Sequence, residues 1–217
     1  MRRVIGIILM LLGAFAVAAS VILYVGNVKE EEQAGKSSEQ LLPKVMEEIF
    51  ERDEVSADQS EPSADTEVKP ESVPTSPHGS GAVYEGNILV AEVDGYKFIG
   101  VLRVDKLGLK LPILSETRSS LMRVAPCRFS GSPKGNDLVI GAHNYNTHFG
   151  KLDQLTEGDI IVFTDMEGNS WSYSVVLTEI LQPNEASELT SGIYPLSLYT
   201  CNYNGDARVV VRCENIN

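Results

Sequence analysis

Cysteine, histidine and positive charge are all scarce in this chain. Its three cysteines are too few for a disulfide scaffold and do not have the spacing of zinc ligands. The 18 basic residues face 30 acidic ones, which gives a formal net charge of −12. No stripe of basic residues is present, so binding to nucleic acid is excluded as a function. We expect neither a metal ion nor another cofactor.

Charged residues are absent from residues 4–25, a continuous apolar run. About 20 apolar residues in a helix are enough to cross a hydrocarbon core of about 30 Å. Arg2 and Arg3 precede the run and acidic residues follow it, which predicts a single-pass anchor with a cytoplasmic N-terminus and an extracellular remainder. A cleaved signal peptide is the alternative, because small residues lie at 16–20. The apolar run continues to Val25, which favours the anchor.

Large apolar residues are few between the anchor and residue 80. Residues 29–78 hold 14 acidic and 5 basic residues, a net charge of −9, with several prolines among Ser, Glu and Asp. Such a segment buries too little surface to offset its ordering entropy. Within it, residues 40–50 carry apolar side chains at helical spacing, which we interpret as a transient helix. We therefore divide the chain into an anchor (1–28), a disordered stalk (29–80) without core contacts, and a folded domain (81–217).

Short apolar runs separated by Gly, Pro and Asn characterise residues 81–217. They predict strands near 88–93, 98–104, 109–114, 137–143, 159–164, 171–180, 196–201 and 207–213, with short helices near 117–124 and 148–155. Many short strands and few helices indicate a mainly β fold, a single closed barrel of about eight strands.

Three residues of this domain have the types that thiol chemistry needs. A thiol nucleophile requires a proton-transfer partner and a donor that stabilises the oxyanion. An odd number of cysteines outside the cytoplasm leaves at least one free thiol, and Cys201 ends a predicted strand. Arg208 opens the returning strand of a tight hairpin, and His143 ends another apolar strand. Each alone is more often structural; together they predict an active site.

Several segments resemble the sortase family, in the family's order. The Thr200-Cys201 pair followed by Arg208 is similar to the sortase signature, and residues 139–144 (VIGAHN) resemble the strand that ends in the catalytic histidine. Further likeness lies in residues 149–152 (FGKL), 158–159 (GD), and the opening strands 100–104 and 109–113. One departure is Ala142, where many members have Gly. The absence of an aromatic lid motif and of a second apolar run disfavours a pilus-polymerising type.

The resemblance implies a cysteine transpeptidase. A secreted protein with an LPXTG-like C-terminal sorting signal would be cleaved to give a thioester on Cys201, and an amine, such as that of a cell-wall precursor, would resolve it. His143 would transfer protons and Arg208 would hold the substrate and oxyanion. Expected substrate contacts are Thr200, Asn144 and, in the loop 183–195, Leu189 and Ile193. The expected partners are thus sorting-signal proteins, an amine acceptor and the membrane.

Two other functions stay open on the sequence. An exported L,D-transpeptidase also uses His and Cys, although its Ser-His-Gly-Cys signature differs from Tyr199-Thr200-Cys201-Asn202. The second is a non-enzymatic, anchored β-barrel binding module whose thiol is incidental. Cys127 and Cys213 are interpreted as structural, either free or paired with each other.

Overall fold

The structure is a computed structural model that describes residues 2–57, 82–202 and 205–216. The helices are α1 (Arg2–Ala57) and α2 (Ser119–Met122), with 3-10 helices at Asp105–Leu107, Leu152–Gln154 and Pro183–Thr190. The strands are β1 (Val83–Glu85), β2 (Ile88–Val93), β3 (Tyr96–Val104), β4 (Leu109–Leu114), β5 (Cys127–Ser130), β6 (Leu138–Ala142), β7 (Ile160–Asp165), β8 (Ser170–Leu181), β9 (Leu196–Cys201) and β10 (Arg208–Asn215).

Eight strands close into a barrel in the order β3-β4-β5-β6-β9-β10-β8-β7. The pairing of β7 with β3 completes the ring, and β1 and β2 extend from β3 outside it. Most neighbours are antiparallel, but the pairs β4–β5 and β6–β9 are parallel. The predicted mainly β, closed barrel of about eight strands is therefore confirmed. Closure pairs the backbone groups that an open sheet would leave at its edges.

The interior of the barrel is filled by alternating residues of its strands. Buried Ile, Leu, Val and Phe side chains from β3, β4, β6, β7 and β9 form one cluster, joined by Tyr173 and Cys213. This packing positions the site because β6, which ends just before His143, and β9, which ends at Cys201, are adjacent strands that both contribute side chains to the cluster. A glycine is required there: a Cβ on Gly141 would lie 2.3 Å from the ring of Tyr199, its partner on β9.

The N-terminal helix α1 differs from the expectation for residues 29–57. The expected solvated stalk is instead a continuation of the apolar helix, and α1 packs on the outside of the barrel. Its buried residues recur at helical spacing: Ala34, Ser38, Leu41, Val45 and Ile49. They contact β2, β3 and β4. The assignment of no core contacts to residues 1–80 is thus wrong for this part, and the rest of the expected stalk, residues 58–80, lies outside the described residues.

The packed part of α1 has a clear energetic role. Leu41, Val45 and Ile49 join an apolar cluster with Phe98 and Met166 on the outer face of the barrel. Burying each such aliphatic side chain contributes about 1.5–3 kcal/mol. Removing residues 1–80 would therefore expose an apolar surface, whereas a chain that begins at residue 29 keeps every buried residue of α1.

Candidate active site

Two adjacent strands bring His143 and Cys201 to the same end of the barrel. In the parallel pair β6–β9, Ala142 is the partner of Thr200, so the next residues, His143 and Cys201, follow side by side. The Thr200 hydroxyl donates to the carbonyl of Ala142 at 3.0 Å and joins the two strand ends. The Asn144 side-chain amide donates to the carbonyl of Asn202 at 3.3 Å and joins the two following turns.

The hairpin between β9 and β10 brings Arg208 to Cys201. These two residues are direct partners in the antiparallel ladder. Asn202 holds the turn: its Oδ1 accepts from the backbone N–H groups of Asp206 (3.1 Å) and Ala207 (3.3 Å), and its own N–H donates to the Ala207 carbonyl (2.8 Å). The sequence-predicted set of His143, Cys201 and Arg208 thus meets at one barrel end, with the cysteine between the other two.

Among the three cysteines, Cys201 alone is exposed, and all three are free thiols. Burial raises the pKa of both Cys127 and Cys213 to about 12, so their thiols stay protonated at neutral pH. A thiol of this kind is inert as a nucleophile. Cys201 is therefore the candidate for nucleophilic chemistry, and the open alternative of a Cys127–Cys213 pair is not realised.

The His143 imidazole is half-buried beside the ring of Tyr145, with ring centroids 5.0 Å apart. Desolvation lowers the pKa of His143, Arg123 lowers it further, and Glu30 on α1 opposes both. Its Nε2 is buried and has no hydrogen-bond partner within the described part of the chain. A largely neutral imidazole with an unengaged nitrogen is suited to accept and return a proton.

A cavity of about 1060 Å³ opens at this end of the barrel, and we call it the cleft. Its walls include His143, Cys201 and Asn144 from the barrel and, unexpectedly, Glu30 and Glu31 from α1. Glu31 accepts the backbone N–H of Asn146 at 2.9 Å. Glu30 accepts the hydroxyl of Tyr145 at 3.3 Å. Sequence patterns did not predict that α1 forms this wall, because the residues that dock α1 near the cleft are polar or small.

The four residues that were expected to contact substrate differ in their exposure and in their contacts. Asn144 and Thr200 line the cleft, but Thr200 is buried and its hydroxyl is engaged by Ala142, which favours a structural role. Leu189 is buried in a small cluster with Val139 and Tyr199, so its side chain is not presented for contact. Ile193 is 73% exposed and free for contact.

Arg212 holds the loop that contains Leu189. Its guanidinium is buried and donates to Glu179 Oε1 (2.8 Å), Ser197 Oγ (2.9 Å) and the Glu188 carbonyl (2.9 Å). It also lies 5.2 Å from the ring centroid of Tyr194. Although Arg208 and Arg212 are only four positions apart, Arg212 is a structural residue that positions the loop 183–195.

Comparisons with known proteins agree with this arrangement. The family model described as "Sortase domain" matches residues 102–216. Pilus-related sortase C of Group B Streptococcus is 26% identical, with a TM-score of 0.51 over 58% of this chain and 70% of that one. Sortase C from Clostridium perfringens SM101 is 24% identical, with a TM-score of 0.50 over 55% and 70%. Sortase A from Corynebacterium diphtheriae is 22% identical, with a TM-score of 0.51 over 56% and 62%.

No curated protein matches the chain. The family model covers more than half of its residues and includes all three candidate catalytic positions, and the barrel of the solved structures is the barrel found here. This match selects the sortase resemblance over that to L,D-transpeptidases. The chain belongs to the sortase family, a family of transpeptidases.

Proposed function

We propose that this sortase cleaves an LPXTG-like C-terminal sorting signal and transfers the new carboxyl end to an amine. The observation that carries the proposal is the strand register around Cys201. Arg208 is its direct partner on one side, and His143 follows Ala142, the partner of Thr200, on the other. The nucleophile and the proton carrier thereby lie in the wall of one cleft, and the cation is the ladder partner of the nucleophile.

In the proposed first step, Cys201 Sγ attacks the carbonyl carbon of the scissile peptide bond. His143 takes the proton of the Cys201 thiol as the C–S bond forms, and it gives that proton to the departing amine as the C–N bond breaks. The guanidinium of Arg208 stabilises the negative charge that develops on the carbonyl oxygen. Charge-assisted donors of this kind commonly contribute a factor of about 10²–10³ in rate.

In the second step, an acceptor amine resolves the thioester. His143 removes a proton from the amine, the new C–N bond forms, and the Cys201 thiolate leaves. A cell-wall precursor or another protein is the acceptor that the family relationship suggests. The apolar segment of α1 suggests membrane anchoring, and with Arg2 and Arg3 on the cytoplasmic side the barrel acts outside the cell.

Mass spectrometry of the protein with sorting-signal peptides and an amine tests the proposal. The expected result is a cleaved peptide, an acyl adduct on Cys201 and a peptide–amine product. Cys201→Ala should abolish all three and leave the far-ultraviolet circular dichroism unchanged, whereas Cys127→Ala should keep the activity. An adduct that persists in Cys201→Ala would refute the assignment. A folded protein without turnover of any peptide would favour the binding module.

A further inference from the structure

The helix α1 joins the membrane-spanning segment to the barrel without interruption. Among the described residues, the most apolar 18-residue window of this helix is 0% buried, so it does not pack on the barrel. Residues 34–49 of the same helix are fixed on the barrel by Ala34, Ser38 and Val45, all nearly or fully buried. A single helix held in this way sets the distance between the bilayer and each part of the barrel.

The cleft lies beside the first turns of α1 after the apolar run. Tyr24, Asn27 and Val28 form part of its wall, and Glu31 binds the backbone of Asn146, three residues after His143. At a rise of 1.5 Å per residue, Glu31 lies about 9 Å from Val25, the last residue of the run, along the helix axis and away from the bilayer. The headgroup layer on each side of a bilayer is about 5–7 Å thick. The cleft is therefore at or just above the level of the headgroups.

A second cavity, between α1 and the outer wall of the barrel, is far from the bilayer. Phe50 lines this cavity with Lys110 and Gly168. Phe50 comes 25 residues after Val25, so this cavity lies about 37 Å above the apolar run along the helix. Typical tilts of transmembrane helices, about 20°, shorten that height by only about 2 Å. The direction of α1 therefore places the cleft nearer to the membrane than the second cavity.

We propose that the end of the barrel bearing the cleft is a membrane-contacting surface, and that its partner is the lipid headgroup layer. The wall of the cleft holds the uncharged polar residues Asn144, Asn146 and Asn202 and the acidic residues Glu30, Glu31 and Asp153; Tyr24 and Tyr145 suit contact with headgroups, because each is an aromatic ring with a hydroxyl. Tyrosine is enriched at membrane–water interfaces for that reason.

The position of Cys201 makes the proposal directly measurable. Cys201 is the exposed thiol, while Cys127 and Cys213 are buried, so a maleimide fluorophore labels the cleft of the full-length chain in liposomes. Energy transfer to an acceptor on the lipid headgroups should be several-fold greater from Cys201 than from the control Lys110→Cys in a Cys201→Ser background. Lys110 is exposed and lies at the second cavity.

An insertion variant tests the role of the helix as a spacer. Seven polar helix-forming residues between Val25 and Gly26 add about 10.5 Å and nearly two full turns, so the rotational phase is kept. Energy transfer from the fluorophore on Cys201 to the acceptor on the lipid headgroups should decrease in this variant. Equal transfer from both label positions, no transfer from either, or no response to the insertion would each overturn the proposal. The second of these outcomes is the one expected of a cleaved signal peptide.

Discussion

The hydroxyl of Ser38 on α1 lies 3.0 Å from Nε2 of His148, five residues after the candidate catalytic histidine. The same hydroxyl donates to the Val124 carbonyl at 2.8 Å, so its oxygen is left to accept from an Nε2–H. His148 is fully buried, and its Nδ1 has no partner within the described residues. This contact assigns a neutral Nε2–H tautomer to His148 and ties the N-terminal helix to residues 143–151, which we call the catalytic loop because it begins at the candidate catalytic histidine.

His148 should make the stability of the protein pH-dependent. Burial, reinforced by the nearby His143, lowers the pKa of His148 to about 4 from 6.5. Above pH 6.5 the imidazole is neutral in both the folded and unfolded states, and its full contribution is present. Between pH 6.5 and 4 only the unfolded state takes up the proton, so the free energy of unfolding should fall by about 3 kcal/mol.

Chemical unfolding of residues 29–217 as a function of pH measures this loss. His148→Gln keeps a donor for Ser38 and should remove most of the slope between pH 6.5 and 4; the smaller remainder comes from His143, whose pKa is also lowered. Ser38→Ala should lower the stability but keep the slope, because His148 remains buried. An unchanged slope in His148→Gln would show that another group is responsible.

Arg208→Lys should reduce transpeptidation at least about 10²-fold despite the retained charge. Arg208 is the ladder partner of Cys201, and its planar guanidinium presents several donors in a fixed geometry that an ammonium does not reproduce. Steady-state kcat/KM with a sorting peptide and an amine measures the effect. Alkylation of Cys201 should show whether the thiol remains reactive.

Arg103→Lys is the matched control for Arg208. Arg103 is exposed on β3, where it pairs with Asp105 at 3.4 Å and lines the second cavity. Its replacement should be close to neutral. Similar losses for the two variants, or a near-normal Arg208→Lys enzyme, would remove Arg208 from the catalytic set and leave His143 and Cys201 with backbone donors.

The local parts of the site could be predicted from the sequence. Cys201 and Arg208 belong to one hairpin, and the turn residues between them identify it as such. The parallel pairing of β6 with β9 joins residues 58 positions apart, as in Ala142 and Thr200. The hydrophobic pattern of a sequence does not show which distant strands pair, so this pairing could be expected only from the resemblance to the family. The strands β1 and β5 were missed because they have three and four residues, too few to show alternation.

The docking of α1 could not be predicted for a different reason. The helical spacing of apolar residues was visible only at 40–50, whereas the helix is also held by Ala34 and Ser38. A small residue and a hydroxyl give no hydrophobic signal, yet both are suited to close approach. The high negative charge of residues 29–78 further obscured the buried face, although most charged side chains of residues 29–52 are exposed. A sequence argument based on mean composition therefore predicted a solvated stalk.

Arg212→Lys should destabilise the fold, although Arg212 is only four residues from Arg208. Its buried guanidinium joins Glu179, Ser197 and the Glu188 carbonyl, and a single ammonium cannot reach all three. Leaving such buried groups unpaired costs about 2–4 kcal/mol. Urea unfolding should show this loss, with Arg103→Lys again as the exposed control. A stability equal to that of the parent would mean that lysine and water replace these contacts.

Gly35→Ala should loosen α1 from the catalytic loop, against the usual helix-stabilising effect of alanine. A Cβ at Gly35 would lie 2.8 Å from Cγ2 of Thr147, and Thr147 is held by its hydroxyl bond to the Glu31 carbonyl at 3.4 Å. A β-branched side chain has few alternative rotamers, so the helix must move instead. Gly26 is the internal control, because nothing lies within 4 Å of a Cβ there. Gly26→Ala should stabilise the helix by up to about 1 kcal/mol.

Limited trypsin digestion at the exposed Lys36 and alkylation of Cys201 measure the docking of α1 in the two variants. In Gly35→Ala both rates should rise several-fold, because the wall of the cleft formed by Glu30 and Glu31 moves away with the helix. In Gly26→Ala neither rate should rise. A change confined to Lys36 would indicate that the helix frays locally and that the cleft does not depend on it. Equal rates in both variants would show that Thr147 yields to the new methyl group and that Gly35 has no role in docking.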